Sequence, residues 1–138
     1  MSINEIADYL CDNLTEAGLV VQRYDAYSTN SIYLKLDYGV CNSIRISDHP
    51  GKRHLKYRYN IGPFVEKYRC EKDKYDRYYY RADKARNLLK KIVSAREFMI
   101  ARYGEEAYKR FMLKNLEYHK NGKGFWKNAW LVSAGKEI

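Results

Sequence analysis

The chain has 138 residues, a mass of 16.5 kDa and a formal net charge of +9, a size at which one domain builds its core without disulfides or a structural metal. Two Pro, eight Gly and no internal repeat argue against a disordered chain, and no apolar stretch approaches the length of a membrane span. An acidic N-terminal segment unlike a secretory signal, with three cysteines that have no CxxC spacing, predicts a cytoplasmic protein with reduced thiols.

The first predicted element is an amphipathic helix over residues 1–18. Ser2 and Glu5 have the S-x-x-E spacing of a capping box, and Gly18 stands where a helix commonly ends. The apolar residues between them recur at helical spacing: Ile3, Ile6, Ala7, Leu10, Leu14 and Ala17. This pattern predicts one helix with a single buried face.

The period of the apolar residues then changes to two, which predicts strands at 19–27, 31–38, 43–47 and 54–61. The tetrapeptide HPGK between the last two strands supplies Pro and Gly where a tight turn needs a fixed and a positive φ. We therefore expect these two strands to form a hairpin. The apolar side chains alternate with polar and basic ones, so one face of the sheet is expected to be basic.

Two helices are predicted after the sheet, at 74–103 and 105–120. The apolar residues of the tail are expected to fold back onto the core: Phe125, Trp126, Trp130 and Leu131. The predicted fold is α+β, a small antiparallel sheet of three to four strands after an N-terminal helix, packed with C-terminal helices. The chain is expected to be a single domain, 1–138, with its helix at 1–18, its sheet at 19–63 and a mainly helical part at 64–138.

Charge is segregated along the chain. Between Ile44 and Lys91 there are 15 Lys and Arg against 6 Asp and Glu, whereas the rest of the chain has 11 of each kind. Seven of the 15 tyrosines lie in the same region: Tyr57, Tyr59, Tyr68, Tyr75, Tyr78, Tyr79 and Tyr80. A basic region rich in tyrosine is typical of a surface that meets phosphates, bases or an acidic protein. The alternative is a solvated face that only keeps the protein in solution.

The predicted hairpin would aim its basic side chains outward while its apolar ones fill the core. Arg77 and Arg81 lie in the basic start of the predicted long helix. At the turn, Asp48 and His49 would contact a partner, or Asp48 would accept hydrogen bonds from the turn's own amides. The predicted partner or nucleic-acid contacts are Arg45, Asp48, His49, Lys52, Arg53, Lys56, Arg58, Arg77 and Arg81.

Catalytic and metal-binding chemistry is not predicted. Asp48, His49 and His54, with Asp37 and Cys41 nearby in sequence, lack the spacing of a metal site or of a nuclease's paired carboxylates. The chain also has no phosphate-binding glycine loop, nucleophile elbow or zinc-finger spacing. The sequence therefore predicts a binding protein without a cofactor or a metal, and a small nuclease is the least favoured alternative.

One segment resembles a known group of proteins. The tripeptide SIY at Ser31, followed by Gly39 and by RISDH at Arg45, resembles an S-x-Y and R-x-S-D-H motif of small proteins from Gram-positive phages and other mobile elements. Several type II-A anti-CRISPR proteins look similar through this segment, which runs from Ser31 to Ile61. The resemblance implies a non-enzymatic inhibitor in the cytoplasm of a bacterial host cell that binds a CRISPR effector, Cas9, and its guide RNA or DNA.

The alternative function is a nucleic-acid-binding regulator of a phage or mobile element, with the basic sheet and the helix after it tracking phosphates. Under either function a basic protein would not imitate DNA, because DNA mimics display carboxylates where phosphates would lie. It would instead grip the nucleic acid or compete for the phosphate's partner. No membrane partner is expected.

Overall fold

The computed structural model of the protein describes residues 2–26, 30–48, 57–63, 71–119 and 125–132. Its first element is the helix α1 (Ile3–Glu16), which begins with the predicted capping box. The Ser2 hydroxyl accepts from the Glu5 amide at 3.1 Å, and the Glu5 carboxylate accepts from the Ser2 amide at 3.3 Å. The amphipathic N-terminal helix is therefore confirmed.

Within the described ranges, one sheet contains seven strands in the spatial order β5-β6-β4-β3-β2-β1-β7. Their bounds are β1 (Val21–Ala26), β2 (Ser31–Leu36), β3 (Ser43–Ser47), β4 (Tyr59–Gly62), β5 (Glu71–Lys72), β6 (Tyr78–Arg81) and β7 (Trp130–Leu131). The pairs β1–β2, β2–β3, β1–β7 and β5–β6 are antiparallel, whereas β3–β4 and β4–β6 are parallel. The α+β class is confirmed, but the purely antiparallel sheet of three to four strands is wrong.

The predicted hairpin between β3 and β4 is also wrong, because these strands run in the same direction. Ile44 lies opposite Tyr59 and Ile46 lies opposite Ile61, which places four apolar side chains on one face. Gly62 allows β4 to lie close to the end of β3. A Cβ at this position would stand 1.8 Å from the carbonyl oxygen of Ser47, so a side chain does not fit there. The predicted turn at residues 49–52 lies outside the described residues, and turn chemistry in a sequence does not determine which strand the chain pairs with next.

The main core lies between this apolar face and the helices α1 and α2 (Ala85–Tyr103). α1 packs on β1, β2 and β3, and α2 packs on β6 and α1. The buried side chains of the sheet in this core include Val21, Ile32, Leu34, Leu36, Ile44, Ile46, Tyr59, Ile61 and Tyr80. Since strand residues alternate between faces, the intervening side chains form the opposite face. We call it the open face because it lies opposite α1 and α2, although several of its side chains, such as Arg45 and Asn60, are buried.

The helical part begins later than the sequence predicted. Residues 74–84 hold the β5–β6 connection, β6 and a short 3-10 turn (Ala82–Lys84), and α2 starts at Ala85. Three consecutive tyrosines, Tyr78 to Tyr80, favour a pleated strand because aromatic side chains pack well across a sheet. Gly104 ends α2 as predicted, and α3 (Glu105–His119) follows.

The tail was predicted to fold back onto the core, and it instead folds back onto the edge of the sheet. A 3-10 turn (Phe125–Asn128) contacts β1, and β7 pairs with the outer edge of β1. Arg23 lies 5.6 Å from the centre of the Trp130 ring, and the Lys35 ammonium lies 4.6 Å from the centre of the Trp126 ring. Trp130 and Leu131 stay about half exposed, so they cover an edge and do not fill the core.

Candidate functional site

The motif residues of β2 and β3 come together on the open face. Tyr33 lies directly opposite Arg45, and Ser31 lies directly opposite Ser47. The Ser31 hydroxyl donates to the Ser47 hydroxyl at 3.2 Å, and Nη2 of Arg45 donates to the same oxygen at 3.1 Å. The S-x-Y and R-x-S segments are therefore neighbours across one strand pair.

Arg45 was predicted to project outward, but it is buried in the sheet. Only 6% of the residue is exposed, and within the described ranges its Nε has no hydrogen-bond partner. β3 is an interior strand, so Tyr33 on β2 and Asn60 on β4 lie beside Arg45, one on each side. Lys35 on β2 is 7% exposed, and burial lowers the pKa of its ammonium group. These two cations are therefore part of the sheet and are not available as surface contacts.

A row of tyrosines crosses the open face beside Arg45. The ring centres of Tyr24 and Tyr33 are 6.4 Å apart, and those of Tyr33 and Tyr57 are 5.0 Å apart. Burial, with a smaller contribution from Tyr33, raises the pKa of Tyr57 to about 12. The Tyr57 phenol is therefore neutral at physiological pH and offers an apolar ring with a polar tip.

At the other end of the motif, Asp48 accepts a short hydrogen bond from the side-chain amide of Asn30. Its predicted role in the turn that follows stays a prediction, because residues 49–56 lie outside the described part of the chain. The same is true of four predicted contacts: His49, Lys52, Arg53 and Lys56.

The β5–β6 connection is a tight hairpin built around Asp73. Its Oδ1 accepts from the backbone amides of Tyr75 (2.9 Å) and Arg77 (3.0 Å), and its Oδ2 accepts from Nε of Arg77 (2.7 Å) and the Tyr79 hydroxyl (3.2 Å). Burial opposes the charge of this carboxylate, but the hydrogen bonds led by the Arg77 and Tyr75 amides outweigh it and lower the pKa of Asp73. Asp73 thus holds the hairpin tip in one conformation.

The hairpin tip displays one aromatic ring with two cations beside it. Tyr75 is 65% exposed. The Arg77 guanidinium lies 4.9 Å from the centre of the Tyr75 ring, and the Lys74 ammonium lies 5.1 Å from it. Because Asp73 fixes Arg77 on its other side, the ring and the guanidinium form a preassembled aromatic and cationic surface.

This tip forms one wall of a groove of about 1150 Å3. The groove lies where the amino-terminal ends of the parallel strands β3, β4 and β6 meet at one edge of the sheet. Its lining comes from three segments, namely the β2–β3 connection, the residues before β4 and the β5–β6 hairpin: Gly39, Asn42, Ser43, Tyr57, Arg58, Asp73, Lys74, Tyr75, Arg77 and Tyr79. Among the described lining residues, three tyrosines and three cations thus share one concave surface with a single carboxylate.

Among the predicted contacts, Arg58 and Arg77 line this groove, and Arg81 does not. Arg58 is partly buried 5.4 Å from the centre of the Tyr78 ring, and no described residue forms a hydrogen bond with its Nε. Arg81 lies at the end of β6 and pairs with Asp83 at 3.5 Å. Arg77 and Arg81 were predicted on a helix, and both instead belong to the β5–β6 hairpin region.

The opposite wall of the groove is held by a buried cluster around Asp37, in the 3-10 turn Asp37–Gly39. Asp37 is fully buried and accepts from the Val20 amide at 2.9 Å, from Nε of Arg96 at 2.7 Å and, in a short bond, from the Tyr108 hydroxyl. Burial, followed by that bond, raises the pKa of Tyr108. The cluster ties the turn to α2 and α3.

The backbone of this turn needs that support. Asp37, Tyr38 and Gly39 have φ values of 51°, 54° and 93°, and the left-handed region costs a non-glycine residue about 1–2 kcal/mol. Such a conformation persists where its surroundings determine it. Asn115 of α3 adds to the cluster by donating to the Tyr38 carbonyl at 3.0 Å.

Five lining residues were not among the predicted contacts, although three of them belong to the tyrosines of the basic region: Tyr57, Asp73, Lys74, Tyr75 and Tyr79. A signal was present in the segment DKYDRYYYR, where Asp residues two and five positions before an aromatic run favour a turn followed by a strand. This signal was missed because the segment was predicted to be part of a helix. The convergence with Tyr57 depends on the parallel pairing of β4 and could not be read locally.

Cys11 and Cys41 are buried and unpaired by disulfides. Burial raises the pKa of Cys11 to about 11 and, with the nearby charge of Asp37, that of Cys41 to about 12. In the part of the chain that the structure describes, no three His, Cys, Asp or Glu side chains converge as metal ligands do.

Of the helices within the described ranges, none has the length and apolar character needed to cross a membrane.

No family model matches the chain, and comparisons with curated proteins and with solved structures find no match either. The function is therefore argued from the chemistry of the groove.

Proposed function

We propose that the protein binds nucleic acid through the groove at the amino ends of β3, β4 and β6, and that this binding inhibits a CRISPR effector, Cas9 with its guide RNA. The observation that carries the proposal is the convergence of three tyrosines and three cations on one concave surface. Cations supply most of the affinity for phosphates, and aromatic rings supply stacking on bases.

The electrostatics of the groove agree with a polyanionic ligand. Arg58, Lys74 and Arg77 face one acidic residue, Asp73, whose four hydrogen bonds occupy its carboxylate. An anion entering the groove would therefore meet cations and hydrogen-bond donors, with little competition from the carboxylate. The region from Ile44 to Lys91, which contains most of the lining, also holds the excess positive charge of the chain.

The proposed inhibition rests on the resemblance in the Ser31 to Ile61 segment. The motif residues Tyr33, Arg45 and Ser47 lie on the open face, and the Tyr33 ring packs on the groove residue Tyr57. We therefore assign the motif a supporting role, in which it positions Tyr57 and the start of β4. An inhibitor built this way would grip the guide RNA and would need no catalytic group.

The test compares binding and inhibition by matched charge variants of the full chain. Arg58→Gln with Lys74→Glu removes two groove cations, and Arg86→Gln with Lys90→Glu makes the same charge change on exposed residues of α2. Fluorescence anisotropy with labelled guide RNA over a salt series should show a slope of log affinity against log salt that is flatter by about 1.4 in the groove variant. The α2 variant should keep the wild-type slope.

The same proteins are then added to guide-loaded Cas9 with a target DNA. Wild type and the α2 variant should block cleavage, and the groove variant should not. Equal inhibition by both variants would show that the groove is not the binding surface. Equal circular dichroism melting curves are the control for folding.

The second candidate is a nucleic-acid-binding regulator of a mobile element. The groove favours it as well, because stacking and phosphate contacts require no effector protein. A pull-down from cells that express Cas9, with and without nuclease treatment, separates the two. Cas9 retained by the wild type and lost from the groove variant supports inhibition, whereas nucleic acid retained without Cas9 supports the regulator.

A further inference from the structure

The groove presents its tyrosines in a way that suits unpaired bases. Tyr75 is well exposed on the hairpin tip, while Tyr57 and Tyr79 are half-buried in the lining. Inside a duplex each base face is covered by its neighbours, so these rings could reach a base only where the strand is unpaired. Stacking of this kind also tolerates any base, because every base has a π-face.

Arg58 adds a second and independent observation. Arg58 lines the groove, and its buried Nε has no hydrogen-bond partner among the residues that the structure describes. A buried donor without an acceptor costs free energy, and an incoming oxyanion would satisfy it with a charge-assisted hydrogen bond. The backbone of a single strand bends enough to bring a phosphate to this nitrogen while its bases splay apart.

We propose that the groove takes single-stranded nucleic acid and discriminates against duplex, with an unpaired base stacked on Tyr75 and a phosphate on Nε of Arg58. This inference rests on the proposed nucleic-acid-binding function and narrows its ligand. Asp73 contributes by holding Arg77 beside the Tyr75 ring, so that the stacking surface exists before the ligand arrives.

The experiment measures anisotropy with one labelled oligonucleotide, either single-stranded or annealed to its complement, as RNA and as DNA. The full chain should bind the single strand at least about tenfold more tightly than the duplex, since one stacked base is worth about 5- to 140-fold in affinity. Tyr75→Ala should weaken single-strand binding by a factor in that range and leave duplex binding unchanged. Tyr75→Phe should retain binding, because it retains the ring.

Tyr103→Ala is the matched control, because Tyr103 is an exposed tyrosine with a cation, Arg102, 5.4 Å from its ring centre, and lies outside the groove. It should bind like the wild type. For the phosphate contact, Arg58→Gln should flatten the salt dependence for the single strand by about 0.7. An unchanged slope would overturn the assignment of Arg58.

The outcomes separate the inference from the function on which it rests. Equal affinity for single strand and duplex, both weakened by Lys74→Glu, would leave nucleic-acid binding in place and overturn the single-strand preference. Unchanged single-strand affinity in Tyr75→Ala would overturn the stacking role of that ring. Absence of binding to every oligonucleotide would overturn both the inference and the proposed function.

Discussion

Two Asp–Arg–Tyr clusters flank the groove, and they use the same chemistry for different purposes. In each, the Asp carboxylate accepts from an arginine Nε at 2.7 Å and from a tyrosine hydroxyl, and it also accepts at least one backbone amide. The Asp37 cluster is buried and joins a turn of the sheet to α2 and α3. The Asp73 cluster is partly exposed and lies within a single hairpin.

The difference lies in what each cluster orders. Asp37 receives Arg96 and Tyr108 from helices far along the chain, so its hydrogen bonds are part of the tertiary structure. Asp73 accepts hydrogen bonds from Arg77 and Tyr79, which lie four and six residues later in the same hairpin, so its bonds order only the hairpin tip. We therefore expect changes at Asp37 to appear in stability and changes at Asp73 to appear in binding.

The largest expected effect is that of Asp37→Ala. Removal of one partner from a buried ion pair leaves the Arg96 guanidinium without its counter-charge, which costs about 3–5 kcal/mol. Urea denaturation followed by circular dichroism measures this loss. Asp12→Ala, at an exposed position of α1, is the control and should stay within about 0.5 kcal/mol of the wild type. A loss as small as that of the control would mean that the cluster does not hold the fold.

Tyr108→Phe should have the next largest effect on stability. It removes a hydroxyl that donates to a buried carboxylate, and a hydrogen bond to a charged group is worth about 1.5–3 kcal/mol. In a double-mutant cycle with Asp37→Ala, the two losses should sum to more than the loss in the double variant, because both changes remove the same bond. Strict additivity would contradict a shared cluster.

Asp73→Asn should change stability less than either variant of the buried cluster and should weaken nucleic-acid binding. Its folded pKa lies below the ordinary value of 3.8, so its stabilising effect is present above that pH and is lost as the pH falls through the folded pKa. The difference in unfolding free energy between wild type and variant should therefore shrink as the pH falls below about 3.8 and disappear below the folded pKa. A difference that persists there would show that the charge of Asp73 is not its cause.

Lys72→Ala should have the smallest effect. The Lys72 ammonium and the Asp76 carboxylate are 3.2 Å apart, and both side chains are more than half exposed. Exposed pairs of this kind contribute about 0–1 kcal/mol, and salt screens them. Thermal melts at low and high salt should coincide with those of the wild type, and a clear loss would mean that this pair supports the hairpin tip.

The parts of the fold that the sequence predicts well are those with a local signal. The spacing of Ser2 and Glu5 predicts the start of α1, and the alternation of Ile32, Leu34 and Leu36 predicts β2 and its buried face. These signals depend on residues within one or two turns of helix or along one strand. The structure therefore agrees with them.

The errors concern relations between distant segments. The neighbours of the buried Arg45, Tyr33 and Asn60, depend on the position of β3 between β2 and β4, and that position depends on parallel pairing that no local pattern specifies. The groove also depends on strand pairing, because Tyr57 and Tyr75 line the same groove only as a result of the order of the strands. A basic region could be predicted from composition, but the particular cations that it exposes could not.

The pairing of β7 with β1 also has a consequence for synthesis of the chain. β1 leaves the ribosome early, whereas Trp130 and Leu131 emerge after the other described strands. Until then the outer edge of β1 carries unpaired amide and carbonyl groups to which a second nascent chain could add. Gln22, Arg23 and Asp25 on this strand are polar or charged, and such residues discourage edge-to-edge aggregation during that interval.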